Sequence, residues 1–104
     1  MHKDREDRIR NLMKILERVN DPEIGISIVD LGLVYGVEEL DGRVHIKMTL
    51  TTPGCPLFMF IEQDIRNELE KEGYKEVEIE WTFDPPWSPE RMSKKARKML
   101  GYEE

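Results

Sequence analysis

A single cysteine, Cys55, stands in the run Thr51-Thr52-Pro53-Gly54-Cys55-Pro56 and is the only thiol in a chain of 104 residues. Its thiolate form would attack electrophiles or bind soft metals, so the chemistry depends on whether the surroundings favour the charge. Pro56 suits the first position of a helix, which makes Cys55 the expected capping residue, where unpaired amides and the helix dipole favour a negative group. Gly54 leaves the backbone free to approach a ligand, and Thr51 and Thr52 lead into the same junction. A plainer reading stands beside this one, because free cysteine is among the most buried residue types and packs as a small hydrophobe. Caps favour Ser, Thr, Asp and Asn, so cysteine there is unusual, and both readings stay open.

Four carboxylates, Asp21, Glu23, Asp30 and Asp84, are expected to reach the same end of the molecule, as oxygen ligands or as acids and bases. Each also has a structural role on offer. Asp21 and Asp84 precede prolines in turns, and Asp30 can tie its own loop together. His45 is expected on a solvated strand face pointing away, and His2 lies near the terminus. A cysteine-histidine pair and a one-chain zinc site therefore lack their parts. Trp81 and Phe83 read as core residues. Trp87, in a Pro-Pro-Trp turn, reads either as a hydrophobic plug or as an exposed contact residue.

The elements that must position these groups follow from the apolar spacing. Ile9, Leu12, Met13, Leu16 and Val19 make one helical stripe, and the helix stops at Asn20-Asp21-Pro22, since proline disfavours helical geometry before it. Residues 23–32 contain two glycines and no clean period, which predicts an ordered apolar loop leading through Asp30-Leu31-Gly32 into a strand. Residues 33–40 and 43–51 form a hairpin around Asp41-Gly42, a pair suited to a two-residue turn with positive dihedrals. That register sets Leu40 against Arg43, Val37 against Ile46, Tyr35 against Met48 and Leu33 against Leu50, with the last six on one face. Glu38, His45, Lys47 and Thr49 take the solvated face.

A second helix follows, with Phe58, Ile61, Ile65 and Leu69 as its buried stripe and Gly73 at its end. Residues 76–83 alternate as a third strand, with Val77, Ile79, Trp81 and Phe83 inward. Asp84-Pro85-Pro86-Trp87 breaks it. Ser88-Pro89-Glu90 then reads as cap, first-turn proline and first-turn acid of a last helix, with Met92, Ala96, Met99 and Leu100 on one side and Gly101 closing it. The fold class expected is α+β, a two-layer α/β domain in the order α-β-β-α-β-α over residues 1–104. Its three-stranded mixed sheet is an antiparallel hairpin plus a third strand after a helical crossover.

This order has a geometric consequence. The crossover makes the third strand parallel to the second, so both finish at the end where the first begins. Three irregular segments, residues 21–32, 52–56 and 84–88, should converge there. Loops at the carboxyl ends of strands, backed by a helix terminus, commonly hold ligands in α/β layers.

Composition narrows the classes. Apolar residues are 38% of the chain and charged ones 37%, which suits one two-layer domain with a heavily charged surface. A net charge of −6 weighs against a surface built for phosphate backbones. One cysteine excludes an intrachain disulfide framework, and the longest aliphatic or aromatic run, residues 57–61, is too short for a membrane span. The charged opening residues lack a signal-peptide pattern, so a cytoplasmic location is expected. Arg91, Lys94, Lys95, Arg97 and Lys98 make the last helix basic, against an acidic run over residues 62–80. This reads as a solvated face or as a partner-docking surface.

Several motifs in order resemble one family: Asp21-Pro22-Glu23, then Ile28-Val29-Asp30-Leu31-Gly32-Leu33-Val34-Tyr35, then residues 49–56 with Gly54-Cys55-Pro56, then Trp87-Ser88-Pro89 with Met92. Together they are similar to the SufT and PaaD-like family of small iron-sulfur cluster assembly proteins, which includes the eukaryotic cytosolic cluster-targeting proteins. The resemblance implies a cluster-assembly-type domain that helps assemble, carry or deliver clusters or iron to recipient apoproteins, and not an enzyme. It makes Cys55 the counterpart of the family's reactive cysteine, and Asp21, Glu23 and Asp30 the counterparts of its acidic positions. Leu57-Phe58-Met59-Phe60 departs from the smaller residues of many members, so Phe58 and Phe60, with Trp87, become candidate partner contacts. Gly25 stands where proline is frequent.

One cysteine cannot supply the set of thiolate ligands usual for a cluster. The expectation is a transient iron-sulfur cluster or iron at an interface, with none tightly bound, and a homodimer joining two Cys55 is one way to complete the set. Donor or carrier proteins and recipients are the expected partners, with no membrane and no nucleic acid. Two other classes remain: a small thiol enzyme with Cys55 as nucleophile, and a protein- or nucleic-acid-binding module using the basic last helix.

Overall fold

In the computed structural model, which describes residues 5–51 and 57–102, the first helix α1 (Arg5–Leu16) seals Leu12, Ile15 and Leu16 into the core. Ile9 and Met13 are only partly buried, so the packed stripe is turned toward Ile15 relative to the expected one. Val19, just past the helix, is buried, and its carbonyl accepts the Ile28 N–H at 2.9 Å. The segment after Pro22 is thereby folded back onto the helix end, with an isolated antiparallel bridge between Asn20 and Ser27.

The hairpin pairs β1 (Val34–Leu40) with β2 (Arg43–Met48) around Asp41 and Gly42, whose φ angles are 52° and 82°. Two consecutive positive angles are what this turn demands. Leu40 faces Arg43 and Val37 faces Ile46 as expected, but the register then slips: Gly36 faces Lys47 and Val34 faces Met48. Tyr35 is thus not opposite Met48. It is the extra residue of a β-bulge, the feature that a glycine inside a strand often marks. Beyond Met48 the alternation fails as well. Thr49, expected on the solvated face, is fully buried beside buried Leu50, although its N–H still donates across to the Leu33 carbonyl at 2.9 Å just past the end of β2.

β3 (Glu76–Trp81) runs parallel to β2, pairing Val77 with Val44, Ile79 with Ile46 and Trp81 with Met48, so the strand order is β1-β2-β3. Phe83 was expected inward but lies past the end of β3 and is 41% exposed. α2 (Phe58–Lys71) buries Ile61, Ile65 and Leu69, while Phe58, expected in the same stripe, is 38% exposed. Gly73 takes a φ of 94° in the turn that leaves the helix. Val37, Val44, Ile46 and Met48 meet the helices, and Glu38, His45, Lys47, Glu78 and Glu80 lie on the opposite, solvated face.

The carboxyl-terminal region differs from expectation in its capping. Ser88 and Pro89 open only a single 3-10 turn, Pro89–Arg91. α3 (Lys94–Leu100) starts afterwards, capped by Ser93, whose Oγ accepts the Ala96 N–H at 3.1 Å. Gly101 closes it at a φ of 80°. Met92, just before α3, and Ala96 on its first turn are buried, while Met99 and Leu100 near its end stay exposed. These elements make the α-β-β-α-β-α order with a mixed sheet. No described helix is long and apolar enough to cross a membrane.

Candidate functional site

Val34, Met48 and Trp81 align across the sheet, so β1 begins where β2 and β3 end. Two of the three expected segments meet at this edge. The Trp87 indole Nε1 donates to the Leu31 carbonyl at 2.6 Å, and the Ser93 N–H donates to the Asp30 carbonyl at 2.7 Å. Gly32 takes a φ of +77°, and a Cβ there would lie 2.2 Å from the Arg91 carbonyl oxygen. Glycine is required on both counts. The third segment, with Thr52, Gly54 and Cys55, lies outside the described residues. Its flanks are Thr51, half-buried beyond β2, and Leu57.

α2 begins at Phe58, later than the expected start at Pro56, with Leu57 in the cap position and already in helical conformation. The Leu57 carbonyl accepts from the Phe60 and Ile61 N–H groups at 3.0 and 3.2 Å, and no side chain among the described residues caps this end.

The carboxylates divide by role. Asp21 is 5% exposed, and its Oδ1 accepts the Glu23 and Ile24 N–H groups at 2.9 and 3.3 Å. Its backbone N–H donates to Ile26 and its carbonyl accepts from Gly25, so Asp21 pins the whole turn. Glu23 is exposed and Asp30 half-buried. Asp84 is exposed, and its N–H donates to the Thr82 Oγ1 at 3.2 Å. Among the described residues, no three His, Cys, Asp or Glu side chains are grouped to hold a metal ion.

Trp87 packs against the core besides holding Leu31. Phe60 is 59% exposed, and Phe58 meets Trp81 edge to face with ring centroids 5.9 Å apart. The Trp81 indole donates to Glu62 at 3.0 Å. Met59 adds to this apolar surface at the start of α2. Two residues at this end, Tyr35 and Arg91, were not among the expected site residues. The bulge turns Tyr35 so that its hydroxyl donates to the Pro85 carbonyl at 2.9 Å, and the Arg91 guanidinium lies 4.6 Å over its ring. Gly36 was the available signal for that bulge.

Comparison with known proteins matches residues 9–81 to the family described as iron-sulfur cluster assembly protein. The chain is 44% identical over 93 residues to the Fe-S protein maturation auxiliary factor YitW of Bacillus subtilis, covering 88% of this chain and 91% of that one. It is 41% identical over 85 residues to the Fe-S protein maturation auxiliary factor SufT of Staphylococcus aureus, covering 80% and 97%. The crystal structure of a domain of unknown function from Bacillus anthracis superposes with a TM-score of 0.88 at 39% identity, covering 95% and 96%. The motifs around Asp21, Asp30 and Cys55 thus lie in a chain that matches in both sequence and fold, and it belongs to the iron-sulfur cluster assembly protein family.

Proposed function

We propose that this chain acts as an iron-sulfur cluster maturation factor that passes clusters or iron to recipient apoproteins, with Cys55 as its contact to the cargo. The observation that carries this reading is the family match over residues 9–81, which spans Asp21, Asp30 and the Gly54-Cys55-Pro56 run. The role is delivery and not substrate turnover.

Cys55 supplies one thiolate, and the remaining ligands come from a donor, a recipient or a second copy of the chain. Such an incomplete ligand set favours transfer, since cargo held by few ligands leaves readily when a recipient offers more. Asp21, Glu23, Asp30, Thr51, Thr52 and Gly54 form the supporting loops. The clasp of Trp87 on Leu31 and of Ser93 on Asp30 supports a rigid setting for the first of these loops. Exposed Phe58 and Phe60 serve as apolar contacts for the donor or recipient, with Trp87 beside the Asp30 loop.

The test is anaerobic addition of iron and sulfide, or of a cluster-loaded donor, to wild type and Cys55→Ser. Visible absorption and activation of an apo recipient are the readouts. Loss of both in the variant is expected, and identical behaviour of the two proteins removes Cys55 from the mechanism.

A further inference from the structure

The Thr82 N–H donates to the Met48 carbonyl at 2.9 Å, and with Met48 paired to Trp81 this sets the phase of the parallel ladder. The backbone groups of even-numbered residues in β3 face β2. Those of Val77, Ile79 and Trp81 face outward, at the edge of the sheet. The Arg66 Nη1 donates to the outward Val77 carbonyl at 2.6 Å and so covers one end of that edge. Among the described residues, nothing bonds the outward N–H and C=O groups of Ile79 and Trp81. An unpaired edge of this kind is a template for an added strand.

We infer that the β3 edge takes up an extended segment of a partner protein in which basic and apolar residues alternate. Side chains of an added strand would fall alternately on the two faces of β3. On the solvated face they would meet Glu78 and Glu80, both exposed. On the helix face they would meet Trp81 and Phe58, whose edge-to-face pair is partly open to solvent. Lysine or arginine suits the first face and an aliphatic residue the second.

A second copy of this chain fits the same edge badly. Two β3 edges paired about a two-fold axis at Ile79 set Glu78 against Glu80 of the other copy, twice, with Cβ atoms about 4.5–5.5 Å apart, and a slip that pairs Ile79 with Trp81 sets Glu80 against Glu80. Like charges placed there oppose association. The glutamates therefore block self-pairing while favouring a basic strand. This surface is independent of whether Cys55 touches iron.

The experiment uses amide NMR of the labelled full chain with a short capped peptide alternating lysine and valine. Saturable binding is expected, with the largest shifts at the Ile79 and Trp81 amides and weakening at higher salt. A glutamate-valine peptide should bind about tenfold more weakly to wild type, and Glu78→Lys with Glu80→Lys should reverse that order. Methylating alternate backbone nitrogens of the peptide should abolish binding. No saturation up to about 1 mM peptide, shifts centred elsewhere, undiminished binding of the methylated peptide, or dimerisation of the free chain through β3 would each overturn the proposal. The double variant alters only solvated side chains, and its own spectrum reports whether the fold is kept.

Discussion

The indole nitrogen of Trp87 donates to the carbonyl oxygen of Leu31, 56 residues earlier in the chain, at 2.6 Å. This bond joins the turn after β3 to the loop that carries Asp30. Removing it while keeping an aromatic ring, as in Trp87→Phe, should lower stability by about 1 kcal/mol. Trp87→Ala also removes packing against the core and should cost about 3 kcal/mol. Urea unfolding of the two variants separates the hydrogen bond from the packing, and equal losses would contradict this division.

Gly32 and Gly25 share a φ of +77°, but only Gly32 faces another backbone, with the Arg91 carbonyl oxygen 2.2 Å from where a Cβ would stand. Among the described residues, nothing lies within 4 Å of where a Gly25 Cβ would stand. Gly25→Ala should therefore lose about 1 kcal/mol to the left-handed backbone alone. Gly32→Ala, which must also push the segment at Arg91 away, should lose clearly more than about 2 kcal/mol. Thermal melts of both variants supply the comparison, and similar midpoints would dissolve the close approach.

Asp21 spends its carboxylate on the turn it begins, through the Glu23 and Ile24 N–H groups. Asp21→Ala should cost about 2 kcal/mol, and Asp21→Asn, which keeps an acceptor oxygen, under about 1 kcal/mol. Asp21→Asn should also support cluster transfer at near the wild-type rate. A collapse of transfer with stability intact would instead make the charge of Asp21 part of the cargo site.

Tyr74 has its phenol pKa raised above its ordinary value of 10.0, first by burial and then by the negative charge of Glu39, to which the hydroxyl donates at 3.2 Å. A raised value means that the folded state holds the proton more tightly than the unfolded chain does. The contribution is fully present below the unfolded pKa and is lost as pH rises through the folded one. Tyr74→Phe should flatten the fall in melting temperature on the alkaline side of pH 10. An unchanged alkaline limb would show that another group governs it.

Much of the fold was legible because its signals are local. Asp41-Gly42 carries its turn in its own dihedral preferences, and Ile61, Ile65 and Leu69 write the face of α2 in their spacing. The crossover rule then made β3 parallel to β2 without any coordinates. The errors fall where local signals compete. Ser88-Pro89 has all the marks of a helix start, yet Ser93 caps the helix, because the Asp30 carbonyl takes the Ser93 N–H and holds the chain extended there. Tyr35 was set on a face by strict alternation, which a bulge at Gly36 breaks.

The sequence by itself determined the order of elements, the direction of each strand, the meeting of the first and last irregular segments, and the presence of a single thiol in the chain. Hydrophobic period, turn chemistry and chain connectivity act over short distances and can be read residue by residue. Only the tertiary structure decided that Trp87 is anchored to Leu31, that Asp21 is committed to its own turn, and that Tyr35 lies under Arg91. It also decided which backbone groups of β3 face outward. Those outcomes depend on where a side chain or carbonyl from a distant segment comes to rest, and long-range packing alone sets that position.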